Sequence, residues 1–442
     1  MPPRCFNYFW IWDKETKGTR FMSRAVIVLI ALLALATAQG AENTLHSFER
    51  IVLSEQFFAE GANFADFNKD GKMDIVAGPF WFEGPDFKTK HEYYPPPDGK
   101  MNKPVDKKGY AKNFFAFTYD FNADGYPDIL IFGFPGEDAS WFENSKGKDG
   151  PWTRHKIFNV VDNESPQFED ITGDGKPEII CTTGGFVGYV EADWTDAAKP
   201  WTFKPISVKG GWQKYTHGLG IGDVNGDGKK DILDSNGWWE QPADSTKGEP
   251  WKLHPSKFAR GGAQMHVYDI NGDGKNDVIT SIAAHEYGLS WHKQLRNDKG
   301  EISFKEHVIL PTSNKGTDNY GVQFSQLHAV DMIDMDGDGV KDIITGKRHW
   351  AHGPSGDPEP QADPVLYWFQ TVRGGPDNVT FIPYLVDKDS GIGTQVVTGD
   401  INGDKLPDIV VGNKRGIFAF IHKTAQVSKE EWDKAQPQPV KK

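Results

Sequence analysis

The hydrophobic residues of this chain fall in short apolar and alternating runs, and no long stripe of helical period is visible. The runs recur in a fixed order. One run enters an acidic loop (NFAD, FTYD, QFED, GIGD, HVYD, DMID, VTGD) and a β-branched run leaves it (DIVAG, DILIF, EIICT, DILDS, DVITS, DIITG, DIVVG). A third carries an aromatic pair or its relic (WFEG, WFEN, GYVE, WWEQ, LSWH, LYWF, FAFI), and a fourth begins with an aromatic, as at Trp152, Trp201 and Phe304. Seven such units, with loop starts 46 to 66 residues apart, predict an all-β fold, a seven-bladed β-propeller of four-stranded antiparallel blades. The last unit lacks a fourth strand after Ile421, whereas residues 48–53 precede the first loop and have that pattern. This N-terminal strand is expected to close the last blade and remove an exposed edge. Most aromatics fall on strands and are expected to be core.

The loops share the pattern D-x-[DNT]-x-D-[GK]-x-x-[DE]. Oxygen side chains at positions 1, 3, 5 and 9 with a turn at position 6 suit a hard cation, calcium first. The expected ligands are Asp66, Asn68, Asp70 and Asp74; Asp120, Asn122, Asp124 and Asp128; Asp170, Thr172, Asp174 and Glu178; Asp223, Asn225, Asp227 and Asp231; Asp269, Asn271, Asp273 and Asp277; Asp334, Asp336, Asp338 and Asp342; and Asp400, Asn402, Asp404 and Asp408. One copy alone could be an Asx-rich turn; seven argue for cations. An EF-hand is excluded, because position 12 is never Glu. The loop at 170–178, with Thr172 and Glu178, and the loop at 400–408, with Lys405 in place of Gly, are expected to bind most weakly.

Ahead of the repeats, Met22-Ser-Arg, an apolar run over 25–36 and the small-residue site Ala36-Thr37-Ala38 have the layout of a secretory signal peptide. Residues 1–38 therefore read as a leader with its true start at Met22, 45–424 as the propeller, and 425–442 as a short helical or disordered tail in which Ser428 and Glu431 form a capping box. The protein is expected to be exported, with no membrane span after cleavage. Cleavage removes Cys5 and leaves Cys181 alone, so no intramolecular disulfide forms. The net charge of −13 becomes −16 without the leader. Seven divalent cations would bring that close to neutral, and nucleic acid and anionic membranes are poor partners for such a surface.

Loops and flanking strands together resemble the FG-GAP/VCBS repeats, over residues 45–424. The resemblance implies a seven-bladed propeller with calcium between a blade's first two strands, and it leaves function open. Within 215–420, the strings YTHGLGIGDVNGDG, GGAQMHVYDINGDG, SIAAHEYGLSWH, SQLHAVDMIDMDGDG and TGKRHWAHGP resemble the propeller part of aldos-2-ulose (1,5-anhydrofructose) dehydratases. This second resemblance implies a sugar lyase or a sugar-binding relative.

Hairpin geometry locates a site independently. The acidic loop closes the first two strands of each unit, so the start of the first and the end of the second share the opposite face. Glu60, Glu164, His217 and His328 stand at the same position, six residues before their loops, with Gln264, His266 and Gln395 close by. After the second strands come Trp238, Trp239, His285, Glu286, Lys347, Arg348, His349, His352, Lys414 and Arg415. A concave face with converging imidazoles, carboxylates and cations is a ligand site. For elimination beside a carbonyl, His217 or His328 would be the base, Arg348 with Lys347 the anion stabiliser, and His349 or His352 the acid. Glu164, His266, His285 and Lys414 would bind substrate, and Trp238 or Trp239 would stack on a sugar ring.

Three classes follow. The first is a lyase that removes water from keto-sugars. The second is a non-catalytic propeller that binds a small sugar, an oligosaccharide or a protein partner. The third is a metal-dependent hydrolase, which clustering of His285, His349 and His352 would favour.

Overall fold

The computed structural model describes residues 43–94 and 103–440. The leader, with Met22 and Cys5, lies outside the described residues. Each sheet runs from an inner first strand to an outer fourth. The first contains Asn63–Ala65, Asp74–Ala77, Phe80–Phe82 and Lys90–Glu92; the second Phe115–Tyr119, Asp128–Phe132, Glu137–Glu143 and Thr153–Val161; the third Gln167–Glu169, Glu178–Thr183, Phe186–Glu191 and Thr202–Pro205. A later one contains Val330–Ile333, Asp342–Gly346, Leu366–Arg373 and Val379–Asp387. In the last, Val396–Gly399, Asp408–Asn413 and Gly416–Gln426 are joined by the N-terminal strand Thr44–Ser54, which lies beside Gly416–Gln426. The fold is an all-β propeller of four-stranded blades.

Seven separate blades are expected from the sequence; among the described residues there are five four-stranded sheets and one of eight strands. The eight-stranded sheet consists of two four-stranded meanders whose inner strands, Leu219–Gly222 and Gln264–Tyr268, pair in parallel. Glycine makes this approach possible. A Cβ on Gly220 would come within 2.3 Å of the Met265 carbonyl oxygen, and one on Gly222 within 2.4 Å of Val267 Cβ.

The acidic loops carry two buried anchors. Position 2 is apolar in every copy (Phe67, Phe121, Ile171, Val224, Ile270, Met335, Ile401), and all seven side chains are buried between sheets. Position 9 turns inward as well. Asp128 is fully buried and accepts from Phe121 N at 2.9 Å and Asn144 N at 2.8 Å. Asp74, Asp231, Asp277, Asp342 and Asp408 are buried too, each accepting from the end of its third strand and from the loop's position-2 amide. Burial, only partly opposed by these amides, pushes the carboxyls up: to about 6 at Asp74, about 7 at Asp128 and about 8 at Asp342.

Neighbouring sheets are tied together beside these anchors. The carboxamides of Asn144, Gln241 and Gln294 donate to the position-2 carbonyls Phe67 O, Ile171 O and Val224 O of the preceding unit. Arg373 does the same for Ile270 O through Nε at 2.9 Å. At the outer edge a second device recurs. His91, His155, His254 and His307 stack on Trp81, Trp141, Trp238 and Trp291 with centroids 3.9 to 4.6 Å apart. Nε2 of the first three meets Glu83, Glu143 and Glu240, clipping the fourth strand to the third.

The inner ends of the sheets are linked by side chains. Gln395 Nε2 donates to Ala116 O and its Oε1 accepts from Ala116 N, while Gln264 Nε2 donates to Thr394 O. These bonds join inner strands of sheets that are not successive in the chain. Separately, residues 424–436 and the first described residues form a small unit with the helix Lys429–Ala435, capped by Ser428 and Glu431 in a capping box. Cys181 is a free, buried thiol.

The position-9 anchor can be tested directly. Asp128→Ala leaves two buried amides without an acceptor and should cost about 3 kcal/mol, read as a lower urea midpoint. Asp128→Asn, which keeps one acceptor, should fall between. A wild-type midpoint for the alanine variant would refute this role.

Candidate functional site

On the face opposite the acidic loops, four expected residues meet. Glu164 precedes the inner strand of the third sheet, His217 and His328 precede the inner strands Leu219–Gly222 and Val330–Ile333, and His285 follows Asp277–Ser281. Their ligand atoms all lie within 4.8 Å of one another. His217 Nε2 is 3.2 Å from Glu164 Oε2 and 3.2 Å from His285 Nε2. His328 is buried with neither ring nitrogen hydrogen-bonded, its ring 4.3 Å from that of His285.

The orientation of these rings is fixed from behind. His217 Nδ1 meets Tyr215 O at 2.8 Å, so this nitrogen carries a proton and Nε2 is aimed inward, at Glu164 and His285. His285 Nδ1 is turned to Asp357 Oδ1 at 3.3 Å, and Asp357 also accepts from His352 Nδ1 at 2.9 Å and His352 N at 2.6 Å. His285, His352 and Asp357 thus make a second donor group that shares His285 with the first. Burial lowers the imidazole pKa of His328 well below its ordinary value and lowers that of His285, with Asp357 opposing the latter. Burial is the largest influence on Glu164 and opposes its ionisation, but the His217 bond together with the charges of His217, Arg348 and His285 holds the carboxyl low. Asp357 is likewise held low, its two histidines overcoming burial.

Beside the cluster lies a buried ion pair, Arg348 Nη2 to Glu60 Oε2 at 2.7 Å. Arg348 is therefore already matched, and does not stand as a free anion stabiliser next to Lys347. Lys347 and Lys414 are buried, with Nζ on the carbonyls of Arg348 and Trp350 respectively; desolvation pushes both down to about 8.

Several expected residues stand elsewhere. Trp238 and Trp239 are both buried, Trp238 stacked on His254 and Trp239 against Trp212, so neither offers a face to a sugar. His266 bonds Val330 O with Nε2, and His349 stacks on Trp350; both lie outside the cluster. Glu286 pairs with Arg260, and Arg415 with Asp389. The clustering that unites His285 with His352 excludes His349 and brings in Asp357.

The sequence pattern did not single out Asp357 or Gln326. Gln326 is fully buried at a φ of 62°, and its carbonyl accepts from both His328 N and Arg348 N at 3.0 Å. Its side chain holds Ala351 N and Pro358 O, tying the loop that carries His352 and Asp357 to the cluster. The string SQLH contained the signal: a buried polar residue two places before His328.

In the acidic loops, positions 1, 3 and 5 bond the loop backbone, as where Asp66 accepts from Asp70 N and Gly71 N. Among the described residues, only Asp334, Asp336 and Asp338 bring three carboxylates of one loop within 4.8 Å. Position 9, also expected as a ligand, accepts from buried amides. Thr172 Oγ1 faces Glu178 at 3.5 Å, and Lys405 keeps the turn at a φ of 71°, bonding Asp400 as glycine does elsewhere.

The FG-GAP-like repeat family matches residues 120–181 and 170–233, and the FG-GAP repeat matches 392–425. No curated protein matches the chain. Among solved structures, an Agrocybe aegerita lectin recognising non-reducing terminal N-acetylglucosamine is 16% identical, with 87% of this chain and 99% of that chain covered and a TM-score of 0.45. The V. cholerae biofilm matrix protein Bap1 is 10% identical over 85% and 89%, with a TM-score of 0.41. Rhamnogalacturonan lyase YesW is 14% identical over 86% and 72%, with a TM-score of 0.38. Likenesses this distant transfer no activity. No helix among the described residues is long and apolar enough to cross a membrane.

The buried ammonium of Lys414 gives a pH signature. Its folded value of about 8 lies below the ordinary 10.5, so the unfolded chain binds more protons between those values and stability rises with pH there, by up to about 1.4 kcal/mol per unit. Wild type should gain stability relative to Lys414→Met between pH 8 and pH 10 in denaturation experiments. A constant difference would mean that this ammonium is not desolvated.

Proposed function

For a chain that carries FG-GAP repeats in a β-propeller arrangement, we propose the function of a metal-dependent carbon–oxygen lyase acting on keto-sugars. The cluster of Glu164, His217, His285 and His328 carries this reading. Two inward Nε2 atoms stand 3.2 Å apart, a spacing that needs either a proton or a cation between them. That spacing matches the edge of a tetrahedron with metal–nitrogen bonds of the usual length, about 3.3 Å. Three imidazoles and a carboxylate suit a transition ion such as zinc, and Asp357 behind His285 supplies the outer partner that such ligands use.

Bound there, the ion would act as a Lewis acid toward a carbonyl oxygen. The chain's own residues supply the rest. His352, with Nδ1 engaged by Asp357, has Nε2 left to take the proton next to the carbonyl. Lys347 and Lys414 are acids able to protonate a departing oxygen near neutral pH. An open cavity of about 450 Å³, lined by Tyr215, His217, Arg260, His285 and Glu286 among others, gives a sugar-sized molecule access.

In the same reading the eight-stranded sheet is two blades joined at their inner strands, making seven. The acidic loops hold structural calcium, most weakly at 170–178 and 400–408, and the leader directs export.

Elemental analysis should give about one transition ion per chain besides calcium. His217→Ala and His285→Ala should lose the transition ion and keep the calcium. Wild type should release an enone from 1,5-anhydrofructose, followed by ultraviolet absorbance, and His352→Ala should slow this by roughly 10²–10⁴. Binding of sugar without turnover would overturn the lyase in favour of a lectin-like module, and water-adding cleavage would favour a hydrolase.

Calcium makes a separate prediction: chelation should lower the melting temperature by mass action. An unchanged melting curve, with no calcium on analysis, would refute cation-filled loops.

A further inference from the structure

The expected sugar-stacking tryptophans are buried, yet the mouth of the site has an aromatic surface of its own. Tyr110, Phe134 and Tyr215 form a continuous run, with ring centroids 5.0 Å apart for the first pair and 5.7 Å for the second. The inner end faces the centre of the site. Lys414 Nζ lies 4.4 Å above the Tyr110 ring, and the charges felt by its phenol, after burial, are those of Arg348, Glu164, Glu60 and Asp357. The outer end is open: Tyr215 is 47% exposed.

Two features bind Tyr215 to the chemistry next to it. It shares the open cavity with His217 and His285. Its backbone is also held at a φ of 72°, a conformation that side chains of its size rarely adopt, and there its carbonyl accepts from His217 Nδ1 while its amide donates to Asp162 O. One strained residue thus aims an imidazole and presents a ring to solvent. Lys214 Nζ, 5.0 Å from both the Phe134 and Tyr215 rings, adds a polar edge to the apolar face. An apolar face with a cationic rim is the surface that a pyranose ring, with its C–H face and hydroxyl edge, complements.

We propose that Tyr215 and Phe134 form a subsite for a second ring of the substrate, so that the lyase acts on a glycosidic keto-sugar and releases an alcohol instead of water. This rests on the elimination reading above. The step balances without a co-reactant. The proton on the carbon between the carbonyl and the glycosidic carbon passes to the base, a carbon–carbon double bond forms as the glycosidic C–O bond breaks, and the departing oxygen takes a proton to leave as the free alcohol. The carbonyl must then stand two carbons from the glycosidic carbon. The ring on Tyr215 is the one that leaves.

Three probes test this on the full chain: 1,5-anhydrofructose, a methyl glucoside oxidised to the ketone at its third carbon, and the correspondingly oxidised cellobiose. Wild type should favour the disaccharide in kcat/KM. Tyr215→Ala should raise KM for the disaccharide about tenfold more than it raises KM for either one-ring probe, and Tyr215→Phe should behave as wild type. Calorimetric titration with unoxidised cellobiose, which cannot react, should show binding that Tyr215→Ala abolishes. Equal effects of Tyr215→Ala on all three probes, or cellobiose binding unchanged by it, would overturn the subsite. No enone from any ketone, with cellobiose still bound through Tyr215, would instead overturn the elimination reading and leave the subsite standing. A variant that loses its transition ion has disturbed His217, and Phe134→Ala, which leaves the Tyr215 backbone in place, then decides by the same disaccharide comparison.

Discussion

The buried carboxylate at the end of each acidic loop is the contact on which the remaining architecture depends. A carboxylate without solvent is tolerated only if its oxygens are bonded. Six of the seven meet that need with the amide at the end of the third strand of their own sheet and the amide that follows the loop's first Asp. One side chain therefore fixes where the first strand ends, where the second begins and where the third stops. Glu178, one methylene longer, accepts instead from its own loop, from the amides of Ile171 and Thr172 and the hydroxyl of Thr172. The carboxamides of Asn144, Gln241 and Gln294 sit beside these anchors and carry the register to the preceding unit. The acidic motif is thus a folding element before it is a place for any ion.

Much of the fold was legible because its period is local. An apolar residue at position 2, a β-branched run and an aromatic pair can each be read within a dozen residues, and each occupies the place expected. The eight-stranded sheet could not be read that way. It depends on Gly220 and Gly222 facing Met265 and Val267, residues one unit away in sequence, and a glycine in GIGD looks like any other turn residue. The histidines of the fourth strands were also passed over. His155 and His254 look like scattered polar positions until their strands pair with Trp141 and Trp238.

The site was legible to the extent that the repeat places equivalent positions together. Glu164, His217 and His328 share one position in their units, and they meet. His285 joins them from the end of a second strand. The failures have physical causes. Trp238 sits on a third strand, where side chains point between sheets, and Arg348 is neutralised by Glu60, a residue from the far end of the chain. Asp357 lies in a long connection with no counterpart in the other units, so periodicity gave no information about it. Gln326 and Tyr215, which hold this constellation in place, do so through backbone conformations that composition does not display.

The glutamines at the inner ends of the sheets carry a further consequence. Gln264 and Gln395 bond the backbone of other units, and Thr394 Oγ1 adds a bond to Phe114 O. In a ring of sheets each blade ordinarily touches only its two neighbours, and a local opening stays local. Here the inner ends of the second, fifth and seventh units are bonded to one another directly, so loosening one of them withdraws hydrogen-bond partners from a sheet that is not its neighbour in the chain.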